Sequence, residues 1–347
     1  MRIASIEVVP YALPFKQPYV TARGRLERRE MVLLRLRDED GLVGLGEAVP
    51  LSLRGGANVA SVAAELEALV EHDRLDEGVL RAMAPGLSPP ARCAALTALL
   101  DLRSRHAATA SDYRTVECNA TLVAGEPAAV AADAERWAAE GFTTFKLKLG
   151  AGDDIGQVRA VREAVGPEAR IRIDANAAWS TRTAVQVLSE IETYGIELVE
   201  QPATHLEALA EIGAATSIPV AGDESIESCA DAERAVRLGA CDIAASKLSK
   251  VGGPEEAIEI AGVMPSYISS ALDGPVGIAA GAQVAQTLAA AAPSDAPRFA
   301  HGLATQRLFA STIAAVECEL REGMLHLPPG PGLGVEIDED ALDRHRL

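Results

Sequence analysis

The chain predicts an α/β fold: a modified (β/α)8-type, TIM-like barrel carrying an α+β capping domain. Three observations predict it. From about residue 115, short apolar strands alternate with helical stretches at a period of roughly 25 residues, and seven or eight such units in succession suggest a parallel barrel. Residues 1 to about 50 instead alternate as antiparallel strands do. No G-x-G-x-x-G or P-loop follows any strand, which disfavours a doubly wound open sheet.

The elements follow in order. Ile3 to Leu13 and Met31 to Leu36 alternate or run apolar, and Asp38-Glu-Asp-Gly41 supplies the turn into Leu42–Glu47. Residues 58 to 108 carry apolar positions at helical spacing, through Val62–Val70 and Arg92–Leu102. Predicted barrel strands are Val116–Leu122, Thr144–Leu149, Ile171–Asp174, Leu198–Glu200, Ile218–Ala221, Asp242–Ser246, Tyr267–Ser270 and Arg298–Ala300, with helices such as Pro127–Glu140 and Thr183–Tyr194 between them. The tail adds a strand-like run, Ala315–Leu320, and the Gly/Pro-rich Leu327–Leu333, and is expected to return to the N-terminal strands. The resulting division is a capping domain over residues 1–110, a barrel over 111–314 and a returning segment over 315–347.

Composition narrows the function. Fifty acidic against 32 basic residues leave a net charge of −18, which argues against nucleic acid or an anionic membrane surface as a partner. No apolar run approaches the roughly 20 residues of a membrane-spanning helix. Five widely spaced cysteines without a C-x-x-C read as reduced thiols, so a cytoplasmic location is expected. A small-molecule carboxylate is the expected partner, and homo-oligomerisation is left open.

Lysine usage points to the chemistry. Only five lysines occur, and four stand in two motifs, Phe145-Lys-Leu-Lys-Leu149 and Ala245-Ser-Lys-Leu-Ser-Lys250. Arginine stays protonated, whereas a lysine can lose its proton when its surroundings depress its pKa. Alternation places Lys146 and Lys148 on one side of their strand. The next strands end at Asp174, Glu200 and Asp223, spaced 26 and 23 residues apart, and the one after them ends at Lys247. In a parallel barrel these ends converge on the face where active sites lie. Three carboxylates without compensation would raise one another's pKa, a hard divalent cation resolves this, and an oxygen-only set favours Mg²⁺ or Mn²⁺ over zinc. Such an ion stabilises an enediolate formed when a proton leaves the carbon α to a carboxylate, with Lys148 and Lys247 facing that carbon as bases. The metal, and Lys146 beside Lys148, are expected to favour the neutral amines.

These residues carry a resemblance. Lys146-Leu-Lys148, Ile173-Asp-Ala-Asn176, Val199-Glu-Gln-Pro202, Gly222-Asp-Glu-Ser225 and Ser246-Lys247, with Gly44-Leu-Gly-Glu-Ala-Val-Pro50 near the N-terminus, resemble the enolase superfamily in its muconate-lactonizing subgroup. The resemblance implies Mg²⁺ on Asp174, Glu200 and Asp223, and Lys148 as the α-proton base. It implies Lys247 as the opposite base or enolate stabiliser, Lys146 near the substrate carboxylate, and Asn176 and Glu224 supporting the metal shell. Lys250-Val-Gly-Gly253, Ser269-Ser-Ala-Leu-Asp-Gly-Pro-Val-Gly277 and His301-Gly-Leu-Ala-Thr305 are most similar to o-succinylbenzoate synthases. Those enzymes dehydrate 2-succinyl-6-hydroxy-2,4-cyclohexadiene-1-carboxylate in menaquinone synthesis. N-succinylamino acid racemases share these residues, and muconate cycloisomerases the scaffold. Dipeptide epimerases carry an Asp-x-Asp near the last strand, which Leu272-Asp-Gly-Pro275 and His301-Gly-Leu303 lack. A barrel that binds a ligand without catalysis is the alternative from another class.

Further candidates for the substrate are Asn119 near the end of the first barrel strand, Ser269 and Ser270 as carboxylate binders, and Arg54 or Arg23 in N-terminal loops over the barrel mouth. Lys250 is expected in a surface loop, Asp273 as a loop cap, and His301 in a structural role.

Overall fold

The structure is a computed structural model that describes residues 1–21, 24–51, 55–71, 75–108, 115–294 and 297–347. Arg54 and Arg23 lie outside the described residues.

Three antiparallel strands, β1 (Ile3–Thr21), β2 (Gly24–Asp38) and β3 (Val43–Ala48), form a sheet in the order β1-β2-β3. Strand alternation divides this sheet between two cores. Val32, Leu34, Leu36 and Ala48 face the helices Val59–Glu67 and Pro89–His106, whereas Met31, Leu33 and Leu45 join the core of the barrel. Helix Pro89–His106 lies against β3 because Gly46 has no side chain: a Cβ there would sit 1.9 Å from the Ala94 carbonyl oxygen. The expected turn after Asp38 is present. Asp38 Oδ1 accepts from the backbone N–H groups of Asp40 and Leu42 at 3.0 and 2.9 Å. Strands β1 and β2 both run farther than the sequence pattern indicates, because the Pro14–Pro18 stretch hides the strand and the pairing shifts register between Pro14 and Tyr19.

The chain then forms β4 (Thr115–Glu117) and seven parallel strands: β5 (Ala120–Leu122), β6 (Thr144–Lys148), β7 (Arg170–Asp174), β8 (Ile196–Glu200), β9 (Val220–Gly222), β10 (Ile243–Ser246) and β11 (Ser266–Ile268). They lie side by side in sequence order with helices in each connection, so the predicted α/β barrel class is the one observed. The expected eighth strand, Arg298–Ala300, does not form. Instead, His301 and Gly302 make single parallel bridges to Cys118 and Ser269 and join the two edges of the sheet. The two residues turn their N–H groups to opposite neighbours, His301 to the Glu117 carbonyl and Gly302 to the Ile268 carbonyl, so no ladder develops on either side. Leu198, Ala221, Ile243, Ala245 and Tyr267 pack together in a separate core beneath the functional ends of the strands.

The tail differs from expectation in its pairing. Ala315–Leu320 splits into β12 (Ala314–Val316) and β13 (Glu319–Arg321), followed by β14 (Met324–His326) and β15 (Glu336–Ile337). Strand β12 pairs with β15, and β14 pairs with β13 and β4 beside the barrel. The end of the tail does return to the N-terminal strands: helix Glu339–His345 packs against β1, Arg35 of β2 donates to Glu339 Oε1 at 2.7 Å, and the Leu347 N–H donates to the Pro10 carbonyl at 3.0 Å.

Candidate active site

The parallel register sets the site. Lys148 pairs with Asp174 across β6 and β7, and Asp174 with Glu200 across β7 and β8, so these residues end level with one another. Asp174, Glu200 and Asp223 are each fully buried. Lys146 Nζ donates to Glu200 Oε2 at 2.5 Å and lies 3.0 Å from Asp174 Oδ2. Lys148 Nζ donates to Asp174 Oδ2 at 2.5 Å and to Asn176 Oδ1 at 3.2 Å. Lys247 Nζ donates to Asp223 Oδ2. The structure thus brings together every lysine and carboxylate expected at the strand ends.

The turns after the strands are held in backbone conformations that side-chain-bearing residues seldom adopt. Asn176 and Gln201 have φ of 46° and 41°. Each is fixed by hydrogen bonds: the Asn176 N–H donates to Asp174 Oδ1 at 2.9 Å, and Gln201 Oε1 accepts from the Asp223 N–H at 2.8 Å. Asn176 Nδ2 reaches Glu224 Oε1 at 3.4 Å, which links the turn after β7 to the one after β9.

The carboxylates dominate the charge balance around the lysines. Burial by itself lowers the pKa of Lys146 and Lys148, but Asp174, and for Lys146 also Glu200, outweigh it and hold both above the ordinary lysine range. Lys146 does act against Lys148 as expected, yet the carboxylates dominate. Burial likewise raises Asp174, and Lys146, Lys148 and Lys247 reverse this and hold it well below the usual carboxylate range.

Two sequence expectations change. Lys250 is not a surface residue: its side chain is 1% exposed, and Nζ donates to Asp223 Oδ1 at 2.9 Å and to the carbonyls of Asp223 and Ala245. The turn Leu248–Val251 folds it back beneath Lys247. Asn119 does not line the cavity. The register pairs Thr121 with Lys146, which leaves Asn119 one layer deeper, where its Nδ2 donates to the Ala120 carbonyl at 3.0 Å. Thr121 lines the cavity in its place.

The cavity above the lysines encloses roughly 730 Å³, including the part open to solvent. Ser269, Ser270, Asn176 and Thr305 line it from the barrel, Tyr19, Thr21, Leu26 and Arg29 from the capping sheet, and Leu51 from the loop after β3. Ser270 Oγ accepts from the Asp273 N–H and from Thr305 Oγ1, both at 2.8 Å. Asp273 caps its own loop through the Ala271 N–H at 2.8 Å. His301 Nδ1 accepts from the Ile268 N–H at 3.0 Å, and burial, reinforced by Arg172, lowers its pKa to about 3, so it serves as a neutral structural group. Sequence reasoning missed Tyr267, whose hydroxyl donates to Glu200 Oε2, and Arg172, buried with its guanidinium 4.9 Å from the Tyr267 ring centre.

The donor set fits a hard divalent cation. All three acids offer only carboxylate oxygens, and Glu200 Oε1 is buried with no hydrogen-bond partner. A second grouping, Asp38, Asp40 and His106, lies on the capping sheet, where Asp38 is already engaged as the turn cap and by His106.

Residues 129–341 match the family described as Enolase C-terminal domain-like, and residues 3–110 match the Mandelate racemase / muconate lactonizing enzyme, N-terminal domain. The chain belongs to the enolase superfamily. Among superfamily members, the o-succinylbenzoate synthase of Thermobifida fusca (strain YX) is 39% identical over 201 residues, 56% of this chain and 61% of that protein. Muconate cycloisomerase 1 of Acinetobacter baylyi is 28% identical over 376 residues, 99% of each chain. The crystal structure of a dipeptide epimerase from Enterococcus faecalis V583, complexed with Mg and the dipeptide L-Leu-L-Tyr, superposes with a TM-score of 0.88 at 28% identity, covering 97% of this chain and 100% of that one. The protein is an enolase-superfamily enzyme, and lyases, isomerases and epimerases all stand among its relatives. Among the described residues, no helix is long and apolar enough to cross a membrane.

Proposed function

We propose that the protein is a Mg²⁺-dependent o-succinylbenzoate synthase, with Mn²⁺ as a substitute ion. In this reading it removes the proton α to the carboxylate of 2-succinyl-6-hydroxy-2,4-cyclohexadiene-1-carboxylate, and water then leaves. The observation that carries the reading is the set of three lysine ammoniums on three buried carboxylates at the floor of a cavity that also presents Ser269 and Ser270. The local similarity to a known o-succinylbenzoate synthase supports the choice among superfamily reactions.

In the proposed reaction Asp174, Glu200 and Asp223 hold the ion, with Asn176 and Glu224 bracing the shell. The bound ion supplies positive charge where the substrate carboxylate gains negative charge. Lys148 takes the α-proton, and the same ammonium then protonates the departing hydroxyl, so one group acts first as base and then as acid. This requires a neutral Lys148 at the outset: the negative charge of Asp174 raises the Lys148 pKa, and an ion held on Asp174 would offset that charge and favour the neutral amine. Lys247 faces the reacting carbon from the other side and stabilises the enolate electrostatically. Lys146 neutralises the substrate carboxylate, and the hydroxyls of Ser269 and Ser270 orient it. Closure of the cavity by the capping sheet excludes water from the enolate.

The test is an ultraviolet assay on the diene substrate with Mg²⁺ and with EDTA. Rapid loss of the diene signal that EDTA abolishes is the expected result, and no loss with Mg²⁺ present rejects the synthase reading. A second reading, racemisation of N-succinylamino acids, draws on the presence of both Lys148 and Lys247 in the cavity lining, which suits a two-base exchange. It predicts solvent deuterium at Cα of N-succinylamino acids.

A further inference from the structure

We propose that Arg29 of the capping sheet anchors a second carboxylate of the substrate and makes the enzyme selective for dianionic ligands. The inference rests on the reading of the cavity as a carboxylate-substrate site and extends it to the part of the substrate that does not react.

Three observations carry it. Arg29 stands on the row of β2 that faces the barrel, two and four residues before Met31 and Leu33, which are core residues. At that position Arg29 is only 4% exposed. Second, its side chain lines the cavity from the capping wall, across from the lysines on the barrel floor, with Leu26, Leu51, Ala271 and Leu272 as apolar surface of the same cavity. Third, the described lining residues include four cations, Lys146, Lys148, Lys247 and Arg29, and no acidic side chain. The three lysines are ion-paired with Asp174, Glu200 and Asp223 beneath the lining, whereas Arg29 places a cation on the capping wall.

A cavity with cations on the floor and on the capping wall, and apolar surface as well, suits a ligand with a carboxylate at each end of an apolar body. The lysine floor serves the carboxylate whose α-carbon reacts. Arg29, with a planar guanidinium able to bind a carboxylate through two parallel hydrogen bonds, serves the distal one. Asp273 lies close enough to feel the charge of both Arg29 and Lys247. A ligand with a free ammonium at its distal end would meet the Arg29 guanidinium there, so zwitterionic dipeptides are disfavoured.

The test compares binding of o-succinylbenzoate with binding of 2-butyrylbenzoate, which keeps the ring and acyl chain but lacks the distal carboxylate. Calorimetry with Mg²⁺ present reads both affinities in the wild type, Arg29→Met and Arg29→Lys. The wild type is expected to bind the diacid at least tenfold more tightly, Arg29→Met to bring the ratio within about threefold of unity, and Arg29→Lys to fall between. Melting curves report folding, and Arg29→Gln replaces Arg29→Met under the same criterion where the methionine variant does not fold. A wild type without diacid preference, or a folded neutral variant that keeps the full ratio, overturns the proposal. Because binding needs no turnover, failure of the diene assay leaves this comparison decisive for Arg29.

Discussion

At the scale of single residues, the site consists of buried ion pairs in which each carboxylate meets at least one ammonium, and Asp174 and Asp223 each meet two. Lys247 and Lys250 are three apart across one helical turn, which brings both amines to the same acid. Lys250 also donates to two backbone carbonyls and does not line the cavity, so it holds Asp223 in place instead of touching substrate. Replacing Lys250 leaves Asp223 with Lys247 alone and removes the hydrogen bonds to two buried carbonyls, which together cost about 3 kcal/mol. Lys250→Met is therefore expected to lower stability by about that amount in urea denaturation, and a loss below about 1 kcal/mol would show that Lys250 is not needed to balance Asp223. The lysines and acids were legible in the sequence because alternation and regular spacing place them on one end of the strands. Lys250 was not, since a short turn after a strand has no apolar period to report its direction. Arg172 could have been read: it lies two residues before Asp174 on the same face of β7, and parity alone turns it inward.

At the scale of elements, the join between β3 and the loop after β11 has its own chemistry. Glu47 is buried against the barrel, accepting from the Tyr11 hydroxyl at 2.9 Å and from the Gly274 N–H at 2.6 Å. Burial, and after it the nearby Asp273, push its pKa up to about 8 from an ordinary 4.5. The folded protein therefore retains a proton that the unfolded chain releases, and stability falls as pH rises between those two values. The slope is at most about 1.4 kcal/mol per pH unit for one proton. Glu47→Gln keeps the shape and removes the titration. Relative to the variant, the wild type is expected to lose melting temperature steadily from pH 5 to 8, and parallel curves would contradict this account. In the sequence Glu47 was visible only as part of Gly44-Leu-Gly-Glu-Ala-Val-Pro50. Its partner Asp273 stands 226 residues away, a pairing that local pattern does not report.

At the scale of the whole molecule, the capping sheet and the barrel build one cavity, with reacting groups from the strand ends and selectivity from the cap. The barrel was legible because its strands are apolar runs buried on both faces and separated by amphipathic helices. Its closure was not, because His301 and Gly302 contribute one bridge to each side and leave no strand pattern. The pairing of the tail strands was not legible for a related reason: they are two or three residues long and pair according to tertiary position. The central claim is that Lys148 moves the α-proton in a metal-loaded cavity. It is tested most directly by measuring diene turnover with saturating Mg²⁺ in the wild type and in Lys148→Ala, with melting curves confirming that both are folded. The account predicts that the variant loses all detectable turnover. A folded variant that keeps more than about a tenth of the wild-type kcat, a barrier change of only about 1.4 kcal/mol, would contradict it.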